Sequence, residues 1–394
     1  MPKNSSTAWL RERQVQIESV ASIAEIPATS WNSLHGTHYP FLRHEYLLAL
    51  EASGCVCSAT GWTPCHLTVR DDQRMLVGAM PLYRKTNSFG EFVFDWAWAD
   101  AYRRSGLNYY PKLVSSVPYT PATSTRLLYA PGENQTEIAQ LLLGSALALT
   151  RQSGASSLHL LFPDPAELPL LSAAGMMLRK DCQFHWHNRD YTSFDDFLGS
   201  FTAEKRKKTR RERRRVAEAG ISFEHLSGHE IDRGLWKQLM PLYASTFLYR
   251  GRTPYLNEDF FLRIGTTLPD QLLVILARRH GEPVATAICY RSADTLYGRY
   301  WGSTGNFHSL HFETCYYQGI DYCIANGLRS FEPGTQGEHK LARGFAPTET
   351  WSAHWLSHPQ FAAAIDNYLE RERAHINEYM DSARAHVPFR KNLG

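Results

Sequence analysis

The chain has 394 residues, of which 43% are hydrophobic, 12% aromatic and 21% charged. That composition belongs to a globular protein of about two ordinary domains and excludes disordered, collagenous and coiled-coil classes. The formal net charge is only +3, but residues 205–215 hold nine cations and one acid, a local +8. The remaining 33 basic and 38 acidic residues sum to −5, so the basic character is one patch. Met1 to Arg13 is polar and lacks the apolar core of a targeting signal. The longest apolar stretch, Ile138 to Leu149, is interrupted by Gln140, Gly144 and Ser145 and is too short to span a bilayer. Seven cysteines, an odd number without framework spacing, read as reduced thiols. A cytoplasmic location is expected, with peripheral placement at the inner membrane face as an option. Cys55-x-Cys57 and Cys65-His66 lack the spacing of a zinc site, so no metal is expected.

In chain order, His66–Arg70 reads as a strand, Asp71–Arg74 as a turn and Met75–Tyr83 as a second strand. Glu91–Ala99 reads as a third, with Phe92, Phe94, Trp96 and Trp98 alternating. A Tyr/Pro-rich loop leads to a helix over 134–153, closed by Gly154, and a buried strand over 157–162. Ser193 is placed to cap a helix with Phe194, Phe197, Leu198 and Phe201 on one face, and Thr202 to cap another over 203–219. The second half repeats the order. Strands fall at 271–278, 284–290 and 295–301, a helix at 312–326 stopped by Gly327, and a strand at 328–331. A strand at 351–356 and an amphipathic helix at 359–384 complete the chain. Meander, helix, strand, repeated about 200 residues apart, predicts a mixed α/β fold of two similar lobes. The expected boundaries are 1–192, a basic helical connector at 193–220, and 221–394.

The basic helix cannot neutralise itself, because Glu212 is the only acid among its cations. Like charges at i,i+4 repel by a few tenths of a kcal/mol per pair. An anionic partner is therefore expected at Lys205, Arg206, Lys208, Arg211 and Arg215: a tRNA, an acidic membrane surface or a phosphorylated substrate. A solvated linker helix is the competing interpretation.

Candidate chemistry concentrates in Phe331-Glu332-Pro333-Gly334-Thr335-Gln336-Gly337-Glu338-His339-Lys340 and the following Leu341-Ala342-Arg343-Gly344-Phe345. So many polar groups at a strand end suit a site better than a core. His308, His311 and Glu313 open the preceding helix, and Arg299, Tyr300 and Trp301 end the strand before it. Acyl transfer to an amine needs a base and an oxyanion donor. His339, Glu313 and Glu338 are the acid–base candidates, and Lys340 or Arg343 the stabilising cations. Arg299, Tyr300, Trp301, His311, Glu332, Gln336 and Arg343 are candidates for substrate binding, joined in the first half by Trp96 and Tyr119. A salt-bridge network fixing the loop is the structural alternative. The link Gly302-Ser303-Thr304-Gly305-Asn306-Phe307-His308-Ser309 has two glycines but not the Arg/Gln-x-x-Gly-x-Gly/Ala pattern that cradles a coenzyme A pyrophosphate. ATPase, serine-hydrolase, zincin and dehydrogenase motifs are missing.

These segments carry a resemblance. Tyr109-Tyr110-Pro111-Lys112-Leu113, Val117-Pro118-Tyr119-Thr120-Pro121, Arg126-Leu127-Leu128 and Gln183-Phe184-His185-Trp186 are similar to the FemAB-like peptidoglycan biosynthesis/recognition family, part of the GNAT acyltransferase superfamily. So are the basic run, Tyr300-Trp301-Gly302, Leu310-His311-Phe312-Glu313-Thr314-Cys315-Tyr316-Tyr317 and the 331–340 segment. The resemblance implies two GNAT-like lobes, each a central mixed sheet flanked by helices. It implies transfer of an acyl or aminoacyl group onto an amine linked to peptidoglycan precursors. The donor would be an acyl-CoA or aminoacyl-tRNA, with no tightly bound cofactor. Recognition of a cell-wall ligand without turnover is the alternative. Fem-type enzymes carry Phe-Lys-x-Gly-Phe near the last strands; here Ala342 stands where that lysine would be.

Overall fold

The computed structural model describes residues 15–132, 134–335 and 337–390. The chain forms two compact units, and neither is contiguous: one is 1–181 with 350–375, the other 182–349 with 376–394. This differs from the expected boundaries at 192 and 220. The basic helix lies within the second unit, and the strand after the polar turn returns to complete the first.

In the first unit, β1 (Gln16–Val20) is followed by α1 (Ala28–Asn32) and α2 (His44–Ala52). Next come β2 (Trp62–Pro64), β3 (His66–Arg70), β4 (Leu76–Met80) and β5 (Tyr83–Lys85). The single strand expected over 75–83 is two, in different sheets, because Pro81 has no N–H to continue a ladder. Residues 91–99 do not form a strand. They lead into α3 (Trp96–Arg104), whose Trp98 and Tyr102 are buried one turn apart. The aromatic alternation imitated a strand, but the alanine-rich i,i+4 pattern prevails. Then follow β6 (Lys112–Ser115), β7 (Leu128–Tyr129), α4 (Gln135–Gln152), β8 (Ser157–Leu161), α5 (Leu168–Ala173) and β9 (Met177–His187). One sheet has the order β1-β3-β4-β7. In the other, β6 pairs parallel with β8 and antiparallel with β5, which pairs with β2. Ile138, Leu142 and Leu143 of α4 pack with Leu67, Val69, Leu158 and Leu160 in the main core.

The second unit begins within β9 and continues with α6 (Phe194–Gly199), α7 (Ala203–Glu218) and β10 (Ile221–Ser227). Ser193 caps α6 as expected, accepting from Asp196 N at 3.1 Å. Thr202 makes no side-chain cap bond to α7. α8 (Arg233–Tyr249) and α9 (Glu258–Thr267) start at Asp232 and Asn257, whose side chains accept from the first turn. β11 (Leu272–Arg279) and β12 (Glu282–Arg291) form a hairpin whose two-residue turn, His280-Gly281, has φ of 53° and 83°. Two left-handed residues match the twist of the flanking strands. β13 (Thr295–Ser303) precedes α10 (Leu310–Phe312), a π-helical turn (Glu313–Tyr317) and α11 (Gln318–Ala325). The expected continuous helix over 312–326 is therefore interrupted, and π turns recur at functional sites. β14 (Ser330–Glu332) ends in the polar turn. β15 (Ala346–Leu356) pairs through 352–356 with β8 of the first unit, and α12 (Pro359–Arg384) closes the chain.

Three features of β13 shape the site. Ile288 faces Tyr300 and Cys289 faces Gly298, so Arg299 is an extra, bulged residue. Bulges of this kind re-aim side chains beside active sites. The parallel pairing of β13 with β14 stops at Tyr297↔Glu332, whereas β13 runs on to Ser303. Gly302 lets α8 approach, since a Cβ there would lie 1.6 Å from the Leu242 carbonyl oxygen. Among the described residues, no helix is long and apolar enough to cross a membrane.

Candidate active site and anion-binding cleft

α7 is held by a narrow stripe of Thr209, Glu212 and Val216, all buried. Its cations divide into two sets. Arg210 pairs with Asp195 at 2.9 Å, Arg213 with Asp321 at 2.6 Å and Glu313 at 3.0 Å, and Arg214 with Glu218 at 3.5 Å. Lys208, Arg211 and Arg215 share another face, and among the described residues no carboxylate lies within ion-pair distance of them. This unneutralised face lines a cleft of about 590 Å³. Across it stand Asn306, Phe307, His308 and Ser309 of the β13–α10 loop, then His311, Phe312, His339 and Arg343. The Arg215 guanidinium donates to His308 Nε2 at 3.1 Å, so the opposite nitrogen carries the proton and donates to Ser309 Oγ at 2.7 Å.

Glu212, the lone acid of the run, points inward. It accepts from the Arg343 guanidinium at 2.9 and 3.1 Å and from the Tyr317 hydroxyl. Arg343 also donates to the His339 carbonyl at 2.7 Å and lies 3.3 Å from the centre of the Phe312 ring. One carboxylate therefore ties the basic helix, the π turn and the 338–343 turn together. Nothing in the sequence pattern assigns Glu212 this structural role. A single acid within nine cations was the available signal.

His339 is exposed to the cleft, and its Nε2 lies 2.8 Å from the Tyr316 hydroxyl. Partial burial, then the charges of Arg343 and Lys340, hold its imidazole below the usual range, so it is neutral at neutral pH. Burial lowers His311 further, to about 4. Gly337 has φ +112°, and a Cβ there would sit 2.3 Å from His339 Cε1. The glycine is needed for both the backbone conformation and the close imidazole.

The other expected site residues fall in several places. Lys340 is buried and does not line the cleft, donates to the Gly334 carbonyl at 2.6 Å, and is depressed to about 7 by burial. Glu332 is raised to about 8 by burial, against the opposing charge of Arg299. Tyr300 packs on Tyr243, and Trp301 meets His311 edge to face at 5.2 Å. Glu313, expected near His339 as a base, instead faces α7: Arg213 of that helix and Gln318 of α11 bind one of its oxygens. Glu338 accepts from the Tyr379 hydroxyl at 3.0 Å. Lys205 and Arg206 are half-buried on α7 and do not line the cleft. Trp96 and Tyr119 belong to the first unit: Trp96 meets Phe89 at a tilt of 58°, and the buried Tyr119 donates to the Cys55 carbonyl. Gln336 lies outside the described residues. Among the described residues there is no cluster of His, Cys, Asp or Glu that could hold a metal ion.

The sequence matches the FemAB-like family, described as peptidoglycan biosynthesis/recognition, over residues 22–391. The chain belongs to this family. Among solved structures, the FemAB-like chain is similar to FemX, with 12% identity over 89% of this chain and 100% of the other, at a TM-score of 0.52. It is similar to L-PGS from Bacillus licheniformis, with 11% identity over 82% and 96%, at a TM-score of 0.50. A tandem GNAT protein from the clavulanic acid pathway matches with 14% identity over 88% and 99%, at a TM-score of 0.46. The FemX and L-PGS likenesses concern the fold alone, a mixed α/β architecture. No curated protein matches significantly.

Proposed function

We propose that this FemAB-like protein is an acyl- or aminoacyltransferase working from a phosphate-bearing donor, an acyl-CoA or an aminoacyl-tRNA, bound in the cleft of the second unit. The observation that carries this reading is the face of Lys208, Arg211 and Arg215, which has no carboxylate partner among the described residues and lines the same cleft as His339, while neighbouring arginines are neutralised. Phosphates are the natural counter-charge for such a face. When His339 Nε2–H donates to the Tyr316 oxygen, its Nδ1 lone pair is free to take a proton. The acceptor amine attacks the acyl carbonyl, the C–N bond forms, and the C–S or C–O bond to the donor breaks. The amine proton passes to His339 and from it to the departing thiolate or alkoxide. The family description supports an amine on a peptidoglycan precursor as acceptor. Recognition without turnover is a second reading, favoured by the engagement of both Lys340 and Arg343 with protein groups. Incubation with acyl-CoAs and charged tRNAs, together with peptidoglycan-precursor amines, separates the two. A new amide by mass spectrometry, lost in His339→Ala, supports transfer. Precursor binding with no amide from any donor supports recognition alone.

A further inference from the structure

The end of α8 is unlike the rest of the surface. Leu248 is 65% and Tyr249 93% exposed, the two highest values for large hydrophobic residues among those described. They are consecutive, and Arg250, Gly251 and Arg252 after them are exposed as well. The helix end is a fixed structure. Gly251 is left-handed at φ +64°, its N–H donates to the Leu248 carbonyl, and the Arg252 N–H donates to the Phe247 carbonyl, both at 2.9 Å. That pair of bonds is a Schellman cap. Phe247 anchors it from below, packing on Tyr243 and Tyr255 at 5.2 Å each. A rigid cap therefore holds an aliphatic and an aromatic side chain in water, which costs free energy unless a partner covers them.

The charge around the tip indicates the partner. Arg250 and Arg252 follow Tyr249 directly, and the chain from Arg233 to Asn257 holds no acid; Arg233 and Lys237 lie in the first turns of α8, away from the tip. We infer that this tip is an interfacial anchor for an anionic phospholipid bilayer. Leu248 and Tyr249 would enter the headgroup region, and Arg250 and Arg252 would meet lipid phosphates. An amphipathic aromatic beside an aliphatic residue, flanked by arginines, suits the boundary between acyl chains and headgroups. RNA would use the arginines and the tyrosine ring but leave Leu248 without a role. The anchor is separate from the cleft and independent of the reading given for it.

The test is co-sedimentation of the full chain with vesicles of phosphatidylcholine alone, or with about one-third phosphatidylglycerol. The wild type should bind the anionic vesicles and not the neutral ones. Arg250→Gln/Arg252→Gln should weaken binding about 25-fold, roughly fivefold per arginine. Leu248→Ser/Tyr249→Ser should weaken it about tenfold, with an unchanged melting temperature because both side chains are exposed. Equal binding by this variant and the wild type would overturn the inference, since the cations of α7 would then suffice. So would equal binding to neutral vesicles. Binding to polyuridylate that Tyr249→Ser abolishes, with no binding to vesicles, would assign the tip to RNA instead.

Discussion

Glu212 offers the sharpest test of how the basic helix is attached. Its side chain and that of Arg343 are 9% and 5% exposed, and they meet at 2.9 Å. Glu212→Ala leaves the guanidinium buried without its carboxylate, and the Tyr317 hydroxyl loses its acceptor. Breaking one side of a buried pair costs about 3–5 kcal/mol. For a unit of this size that is a loss of roughly 6–12 °C in Tm, taking about 2–4 °C per kcal/mol and the lower energy. Glu212→Gln, which keeps an acceptor oxygen, should lose less. Glu212→Ala/Arg343→Ala should recover part of the loss, because the orphaned charge is gone. Thermal unfolding followed by tryptophan fluorescence reads all three. A Glu212→Ala protein melting within about 1 °C of wild type, well inside the usual span for a neutral surface change, would refute the anchoring argument.

Three further outcomes follow from the geometry. Gly337→Ala should displace the His339 ring and lower turnover by about 100-fold, the scale of a 1 Å misplacement; unchanged turnover would show that the ring position is not critical. The rate kcat/KM should rise with pH through a group below 6.5, the neutral His339, and then level off, with this limb missing in His339→Ala. In the first unit, His159 and His354 face each other at 2.7 Å through their Nδ1 atoms, and burial holds His159 at about 3 and His354 well below its usual value. Both are neutral when folded, whereas an unfolded chain takes up protons below about 6.5. Stability should therefore be complete above that pH and fall by about 1.4 kcal/mol per unit for each histidine as the pH drops toward 3. Melting curves of His159→Gln/His354→Gln should show a flatter acid limb, and an unaltered slope would remove the pair as its cause.

Much of the architecture was legible because it rests on local periodicity. The helix α4, closed by Gly154, and the amphipathic α12 declare themselves through spacing and stop signals. The segment around Trp96 did not, because four alternating aromatics satisfy the strand period while alanines satisfy the helix. The exchange of β15 into the first unit rests on long-range pairing that no local pattern encodes. At the site, the polar turn was visible from its density of charge, and His339, His311 and Arg343 do come together. Glu313 was misplaced because a helix start fixes where a residue lies, whereas the π turn and Arg213 decide which way it faces. The division of the basic run into paired and unpaired faces depends on Asp195, Asp321 and Glu313, the last two 108 and 100 residues beyond Arg213 along the chain.

The central claim is that the unpaired face of α7 holds the phosphates of the donor. Equilibrium binding of a palmitoyl-CoA and an aminoacyl-tRNA to the wild type and to Lys208→Glu/Arg211→Glu/Arg215→Glu tests it most directly. The account predicts that at least one donor binds the wild type, that its affinity falls with salt, and that the triple variant loses at least 100-fold, as expected when several phosphate contacts are removed. Donor binding of equal strength and equal salt dependence in both proteins would contradict it.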